Sequence, residues 1–126
     1  MVKLIIAGGR NLQVGMGMIN TWVWLVENKL DKAVSTLVCG MAAGIDSCGL
    51  AWAMNKNIPV ERYPADWDKY GRAAGSIRNK QMAEVADALL LFWDGKSRGS
   101  ANMLKEAEAA GLHVTQVVME GNNVGR

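Results

Sequence analysis

Short and almost uninterrupted apolar runs are the feature that most constrains the fold of this chain. They occupy Val2–Ala7, Val34–Cys39, Ala88–Trp93 and Val114–Val118, with a shorter run at Val60–Tyr63. An apolar run without polar alternation is typical of a parallel strand that is covered on both faces. Helical periodicity fills the intervals, at Gly17–Leu30, Ile45–Asn57, Ala73–Ala86 and Ser100–Ala110. The pattern predicts an α/β domain in which a mainly parallel five-stranded sheet lies between two layers of helices.

The alternation of strands and helices also predicts the topology. Right-handed crossovers in a Rossmann-like domain of this kind give the strand order 3-2-1-4-5, with a switch point between the first and fourth strands. Because no linker or internal repeat divides the 126 residues, we expect one domain over residues 1–119. Residues 120–126 are polar and glycine-containing, and are predicted to form a flexible tail.

Composition narrows the class of protein. The net charge of +2 is too small to indicate a nucleic-acid surface by itself. No apolar run approaches the length of a membrane span, and the first ten residues pass directly into a strand, so we expect a cytoplasmic protein without membrane contact. Cys39 and Cys48 have no metal-type spacing, and His113 is the single histidine. We therefore interpret both cysteines as core residues and expect neither a metal nor a cofactor.

Glycine-rich turns follow the first and fourth strands, the two that flank the switch point. A strand, a glycine turn and a helix in succession leave backbone N–H groups free to bind an anion such as phosphate. Two such turns at one edge of the sheet predict a site for a nucleotide-sized ligand. The candidate binding residues in these turns are Gly8, Gly9, Arg10, Asp94, Gly95, Ser97, Gly99 and Ser100.

A third glycine-containing segment, from Gly40 through Gly44 to Asp46, follows the second strand and opens the second helix. Its glycines permit a tight turn and close backbone approach, and we include all three residues in the candidate site. The Asp46 carboxylate either stabilises the helix dipole, binds a ribose hydroxyl, or orients Arg78 or a substrate group.

Arg78 is in helical phase with the core-facing Met82, one turn earlier in the third helix. A guanidinium at that position either pairs with a buried carboxylate, such as Asp46 or Asp94, or meets an anionic ligand. We favour the ligand, place Arg78 at the rim of the site, and include the neighbouring Asn79.

Two aromatic residues, Trp67 and Tyr70, lie in the long segment before the third helix. Either ring offers a stacking surface for a base. Packing of Trp67 on the core or on a neighbouring subunit is an equally good interpretation.

Taken together, these motifs resemble the YspA-like branch of the SLOG superfamily, from about Lys3 to Val118. Five segments carry the resemblance. They are Ala7-Gly8-Gly9-Arg10, the segment that begins at Gly40, the segment that begins at Tyr63-Pro64, the segment that begins at Ala74-Gly75-Ser76-Ile77-Arg78, and the segment from Ala86-Asp87 to Ser100. The family occurs in bacteria and phages. The resemblance implies a Rossmann-like domain that binds a nucleotide or nucleotide derivative as a sensing, sequestering or processing module.

Two relatives within the superfamily imply alternative functions. The Lonely-guy phosphoribohydrolases, which cleave the N-glycosidic bond of nucleoside monophosphates, have a helix similar to the one that begins at Arg78. They also have a glutamate where this chain has Asn102 and Met103. A DNA-processing protein that loads recombinase onto single strands has a string similar to Gly40–Asp46, which implies weak single-stranded DNA binding as a further alternative.

Helical phase predicts self-association. Three apolar residues, Trp24, Leu50 and Met54, fall outside the core-facing stripes of the first two helices, which should lie on the same face of the sheet. Exposed apolar patches on small domains often form subunit contacts. We therefore expect at least a homodimer, with Trp24 near the centre of its interface.

Overall fold

A computed structural model describes residues 1–120 of the chain. The strands are β1 (Val2–Gly8), β2 (Val34–Cys39), β3 (Val60–Arg62), β4 (Ala88–Trp93) and β5 (His113–Val118). The helices are α1 (Met16–Leu30), α2 (Ile45–Asn55), α3 (Trp67–Tyr70), α4 (Ala74–Val85) and α5 (Arg98–Ala109), with a 3-10 turn at Gly71–Ala73. The tail predicted at the C-terminus lies, apart from residue 120, outside the described residues.

The five strands form one parallel sheet in the order β3-β2-β1-β4-β5. This confirms the fold class and strand order predicted from the apolar runs. The segment before α4 differs from the prediction, because it contains the short helix α3. The Asp66 side chain accepts a hydrogen bond from the Lys69 N–H (3.1 Å), which is an N-cap in a stretch that hydrophobic periodicity does not reveal.

Alternate residues of the central strands pack into two separate core layers. Leu4 and Ile6 of β1 contact the layer under α1 and α2, while Ile5 and Ala7 contact the layer under α4 and α5. Burial on both faces requires apolar residues at every position, which explains the uninterrupted runs in the sequence. No helix within residues 1–120 is long and apolar enough to span a bilayer.

The carboxyl ends of β1 and β4 come together at the switch point. Gly8 pairs with Phe92 in the parallel register, and the N–H of Gly9 donates to the Phe92 carbonyl (3.1 Å). A Cβ on Gly8 would overlap that same carbonyl oxygen. Gly8 therefore lets the two strands approach closely where the polypeptide leaves the sheet.

The outer surface of α1 and α2 agrees only in part with the predicted patch. The side chains of Trp24 and Met54 are exposed, at 60% and 61% of their full accessible areas. Leu50 is instead half-buried and packs against the core layer beneath α2, so its assignment to the patch is corrected. Leu50 lies about 200° around α2 from the buried Trp52. The indole N–H of Trp52 donates to Asn20 of α1 (2.8 Å), which links the two helices. The homodimer stays a prediction.

We expect Gly8→Ala to destabilise the fold by at least about 2 kcal/mol, because the new methyl group meets backbone that cannot move without separating β1 from β4. Gly17→Ala is the matched control. Gly17 lies in the first turn of α1 with open space around the Cβ position, so alanine should stabilise by about 0.5–1 kcal/mol. Urea unfolding of both variants measures the difference. Equal stability of Gly8→Ala and the wild type would contradict the close approach of the strands.

Candidate functional site

Two adjoining clefts open at the carboxyl edge of the sheet. The first has a volume of about 490 Å³. It is lined by the carboxyl end of β1, the first turn of α2, and residues of α4 and α5. The second, of about 330 Å³, lies between the loops after β2 and β3. Both are lined by Arg10, Ala42, Trp67 and Arg78. The position at the switch point is the one predicted from the glycine turns.

Arg78 is buried in the wall shared by the two clefts, with 9% of its area exposed, rather than lying at a rim. Its Nη1 donates to the carbonyl oxygens of Gly40 and, at 3.5 Å, Tyr63, and its Nε donates to Asn79 Oδ1 (2.9 Å). These acceptors are all neutral. The salt bridge found within residues 1–120 joins Lys3 to Glu61 (2.7 Å), so Arg78 has no ion pair in that part of the chain.

The Arg78 charge is therefore only partly compensated. Burial lowers the pKa of the guanidinium, and the nearby Asp46 carboxylate acts in the opposite direction. A buried cation held by neutral dipoles gains strongly from an anion that approaches its remaining N–H groups. Nη2 is free to receive such an anion, since it has no acceptor among residues 1–120.

The N-terminus of α5 also lines the first cleft. Asp94 Oδ1 accepts from the N–H groups of Lys96 (2.8 Å) and Ser97 (2.9 Å), which fixes the turn, and Ala101 makes the first intrahelical bond, to Ser97 (3.0 Å). The three N–H groups between these points, at residues 98–100, have no intrahelical acceptor. Among residues 1–120, no side chain caps this end of the helix.

Ser100 adds an unusual feature to this helix terminus. Its side chain is buried, with 4% of its area exposed, and its hydroxyl has no hydrogen-bond partner within residues 1–120. A buried hydroxyl without a partner costs about 1–3 kcal/mol. Ser100 lines the first cleft, as do Arg98 and Gly99 at the same helix terminus.

Asp46 places a buried carboxylate beside Arg78, with 6% of its area exposed. Its Oδ2 accepts from the Ala42 N–H (3.2 Å). A Cβ on Gly40 would lie 2.8 Å from this oxygen and 2.9 Å from Arg78 Nη1, so glycine is needed where the two side chains converge. Burial raises the pKa of Asp46, although the Ala42 N–H, Arg78 and Arg10 all lower it. The carboxylate lines the first cleft as a hydrogen-bond acceptor.

The structure brings most of the predicted site residues to the clefts and gives the others structural roles. Those that line a cleft are Gly8, Arg10, Gly40, Asp46, Trp67, Arg78, Asn79, Ser97, Gly99 and Ser100. Gly9, Gly44, Asp94, Gly95 and Tyr70 line neither one.

The non-lining glycines serve the turns themselves. The Gly9 carbonyl accepts from the N–H of Ile45 (3.2 Å), which ties the loop after β1 to the start of α2. Gly44 has φ +76, and a Cβ there would overlap the carbonyl of Gly9. Gly95 has φ +81 in the turn that Asp94 fixes. These residues shape the site without reaching the cleft.

Of the two aromatic candidates, Trp67 lines the clefts and Tyr70 does not. Trp67 stands between the clefts and contributes to both. Tyr70 instead has the Lys69 ammonium 5.1 Å from its ring centroid and lines neither cleft. The stacking surface available to a base is therefore that of Trp67.

Several lining residues are absent from the predicted binding set, among them Asn102, which was singled out only as standing where the phosphoribohydrolases have a glutamate. Asn79 Nδ2 donates to Asn102 Oδ1 (2.9 Å) across the contact between α4 and α5. Asn102 lies two residues after Ser100, near the start of a helix that follows a glycine turn, and this position was the available signal. Its partner, 23 positions earlier, was not visible in any local pattern.

Comparisons with known proteins support the assignment of the fold. The model of the family described as YspA, cpYpsA-related SLOG matches residues 2–70. The Gene 61 protein of Mycobacterium phage D29 is 35% identical over 103 residues, which cover 75% of this chain and 82% of that protein. No solved structure matches the chain. The family match ends before α4 and does not cover Arg78, Ser100 or Asn102.

Replacing Asp46 by asparagine tests the electrostatics of the site. Burial raises the folded-state pKa of Asp46 above its ordinary 3.8. Between pH 3.8 and the folded-state pKa, the folded protein therefore binds more protons than the unfolded chain. This group's contribution to stability therefore falls as pH rises through that window. We expect Asp46→Asn to be more stable than the wild type at pH 7, and the advantage to vanish below pH 3.8. Urea unfolding across pH measures this, and a variant that is less stable at every pH would contradict it.

Proposed function

Because the chain belongs to the YspA, cpYpsA-related SLOG family, which at a coarse level indicates nucleotide-related ligands, we propose that it binds a phosphorylated small molecule of the nucleotide class in the first cleft. One observation carries the proposal. A buried arginine without an ion pair and a buried serine hydroxyl without a hydrogen-bond partner, both within residues 1–120, line the same cleft.

The phosphate belongs at the N-terminus of α5. Its oxygens accept from the free N–H groups at residues 98–100. Rotation of the buried Ser100 side chain toward the cleft adds its hydroxyl, which otherwise has no partner among the described residues. The helix dipole favours negative charge at the same point. Arg78 Nη2 supplies a charge-assisted contact from α4, and the phosphate provides the counter-charge that Arg78 lacks within residues 1–120.

The remaining groups suit the rest of a nucleotide. Asp46 offers an acceptor that a sugar hydroxyl can satisfy, and it faces the same cleft. Trp67 offers a half-exposed ring between this cleft and the second one, which suits stacking of a base. Met41, Pro64 and Ala65 offer apolar contacts to such a base in the second cleft, which Arg10 and Arg78 also line. The ligand then extends from α5 across Arg78 to Trp67.

Ser100→Ala separates binding from folding. Without ligand, loss of a buried hydroxyl that lacks a partner should raise the free energy of unfolding by about 1 kcal/mol. Affinity for AMP should fall by about tenfold or more, because a hydrogen bond to a charged group contributes about 1.5–3 kcal/mol. Urea unfolding and titration calorimetry measure the two effects.

Ser35→Ala is the matched control for this variant. The Ser35 hydroxyl donates to the Val2 carbonyl (3.3 Å) outside both clefts. Its removal should cost about 0.5–1 kcal/mol of stability and leave AMP affinity unchanged. If Ser100→Ala binds AMP as tightly as the wild type, the hydroxyl is not a phosphate ligand and the proposal fails.

The same cleft argues against glycosidic cleavage. Cleavage of an N-glycosidic bond develops positive charge on the sugar, which a carboxylate must stabilise. Asp46 is the acid that lines the first cleft within residues 1–120, while Asn102 and Met103 provide an amide and a thioether. We expect no release of adenine from AMP by chromatography after prolonged incubation. Adenine release that is lost in Asp46→Asn would contradict this and assign an enzymatic role.

A further inference from the structure

We infer that Asn102 presents its side-chain N–H₂ group, and not its carbonyl, to the ligand, and that it thereby selects nucleotides with an uncharged oxygen acceptor beside α5. The inference rests on the proposed function and names a determinant of ligand choice in the same cleft. It depends on a chain of hydrogen bonds that runs from α4 to α5.

Arg78 fixes the direction of this chain. Arg78 Nε donates to Asn79 Oδ1 (2.9 Å), and Asn79 Nδ2 donates to Asn102 Oδ1 (2.9 Å). A guanidinium has donors and no acceptor, so the first amide must turn its oxygen toward Arg78. Its nitrogen then faces Asn102, and the second amide must turn its oxygen toward that nitrogen. Asn102 Nδ2 is then the amide group that has no hydrogen-bond partner within residues 1–120.

Reversal of either amide is costly in this setting. An isolated asparagine exchanges its oxygen and nitrogen positions with little change in energy. Here a flipped Asn79 would place its N–H₂ group against Arg78 Nε in the buried wall of the cleft. A flipped Asn102 would place two N–H₂ groups face to face. Each arrangement leaves donors without acceptors, so the buried guanidinium sets the polarity of an amide two side chains away.

The leftover N–H₂ group has no acceptor among residues 1–120, and Asn102 lines the first cleft. It lies two residues beyond Ser100, about 3 Å further along the axis of α5 and about 200° around it, and both residues line the cleft. In our proposal the atoms next to the phosphate lie beside Asn102. An ester, ring or hydroxyl oxygen of the sugar is the acceptor that fits, and inorganic phosphate has no group to place there.

Titration calorimetry with two probes, AMP and inorganic phosphate, tests the inference. Asn102→Ala removes the donor and should weaken AMP about tenfold while changing phosphate affinity by less than about twofold. Asn102→Asp still accepts from Asn79 but offers an acceptor to the ligand, so it should weaken AMP further. Its negative charge acts on both probes, so the ratio of the two affinities is the quantity to compare.

Asn79→Asp tests the positioning of Asn102. Aspartate at residue 79 accepts from Arg78 but cannot donate to Asn102, so Asn102 turns its N–H₂ group toward residue 79 and its oxygen toward the ligand. The ion pair with Arg78 weakens both probes, and the ratio of AMP to phosphate affinity should fall. Circular dichroism and the unfolding midpoint check that each variant is folded. Should Asn79→Asp not fold, the two Asn102 variants decide the inference by themselves.

The outcomes distinguish this inference from the proposed function. If Ser100→Ala weakens both probes while the Asn102 variants leave their ratio unchanged, phosphate binding stands and the role of Asn102 is overturned. If the wild-type protein binds neither probe, both are overturned. A selective loss of AMP affinity in the Asn102 variants supports both.

Discussion

The buried guanidinium of Arg78 is the interaction on which the site depends. It binds the carbonyl of Gly40 after β2 and that of Tyr63 after β3, and it orients the amide of Asn79 in α4. One side chain thereby joins three segments at the carboxyl edge of the sheet. All its acceptors are neutral, so the arrangement that holds the loops together also leaves a positive charge in need of an anion.

This dual role links folding to the binding that we propose. An anion between Arg78 and α5 would satisfy the guanidinium, the free N–H groups and the Ser100 hydroxyl together. Each of these groups costs stability when it is buried without a partner. A ligand that binds only the folded state stabilises it by mass action. The cleft is therefore a place where the protein gives up some stability without ligand and recovers it with ligand.

The sequence was sufficient for the topology but not for the depth and polarity of the site. Uninterrupted apolar runs determine a sheet that is buried on both faces, and helical phase identified Trp24 as exposed. Phase places Arg78 on the core-facing side but does not say how far it lies from solvent. A glycine that admits a ligand and one that shapes a turn look alike in sequence, which is why Gly9 and Gly44 were assigned to the site. The link from Asn79 to Asn102 depends on how α4 packs against α5, and no local pattern encodes it.

A crystal structure of the protein grown with AMP tests the proposed phosphate site most directly. We predict phosphate density at the N-terminus of α5, with an oxygen about 2.5–3.0 Å from Ser100 Oγ and a second oxygen in contact with Arg78 Nη2. A phosphate bound elsewhere would contradict the proposal. So would a Ser100 hydroxyl that donates to a carbonyl of the protein while the cleft contains no phosphate.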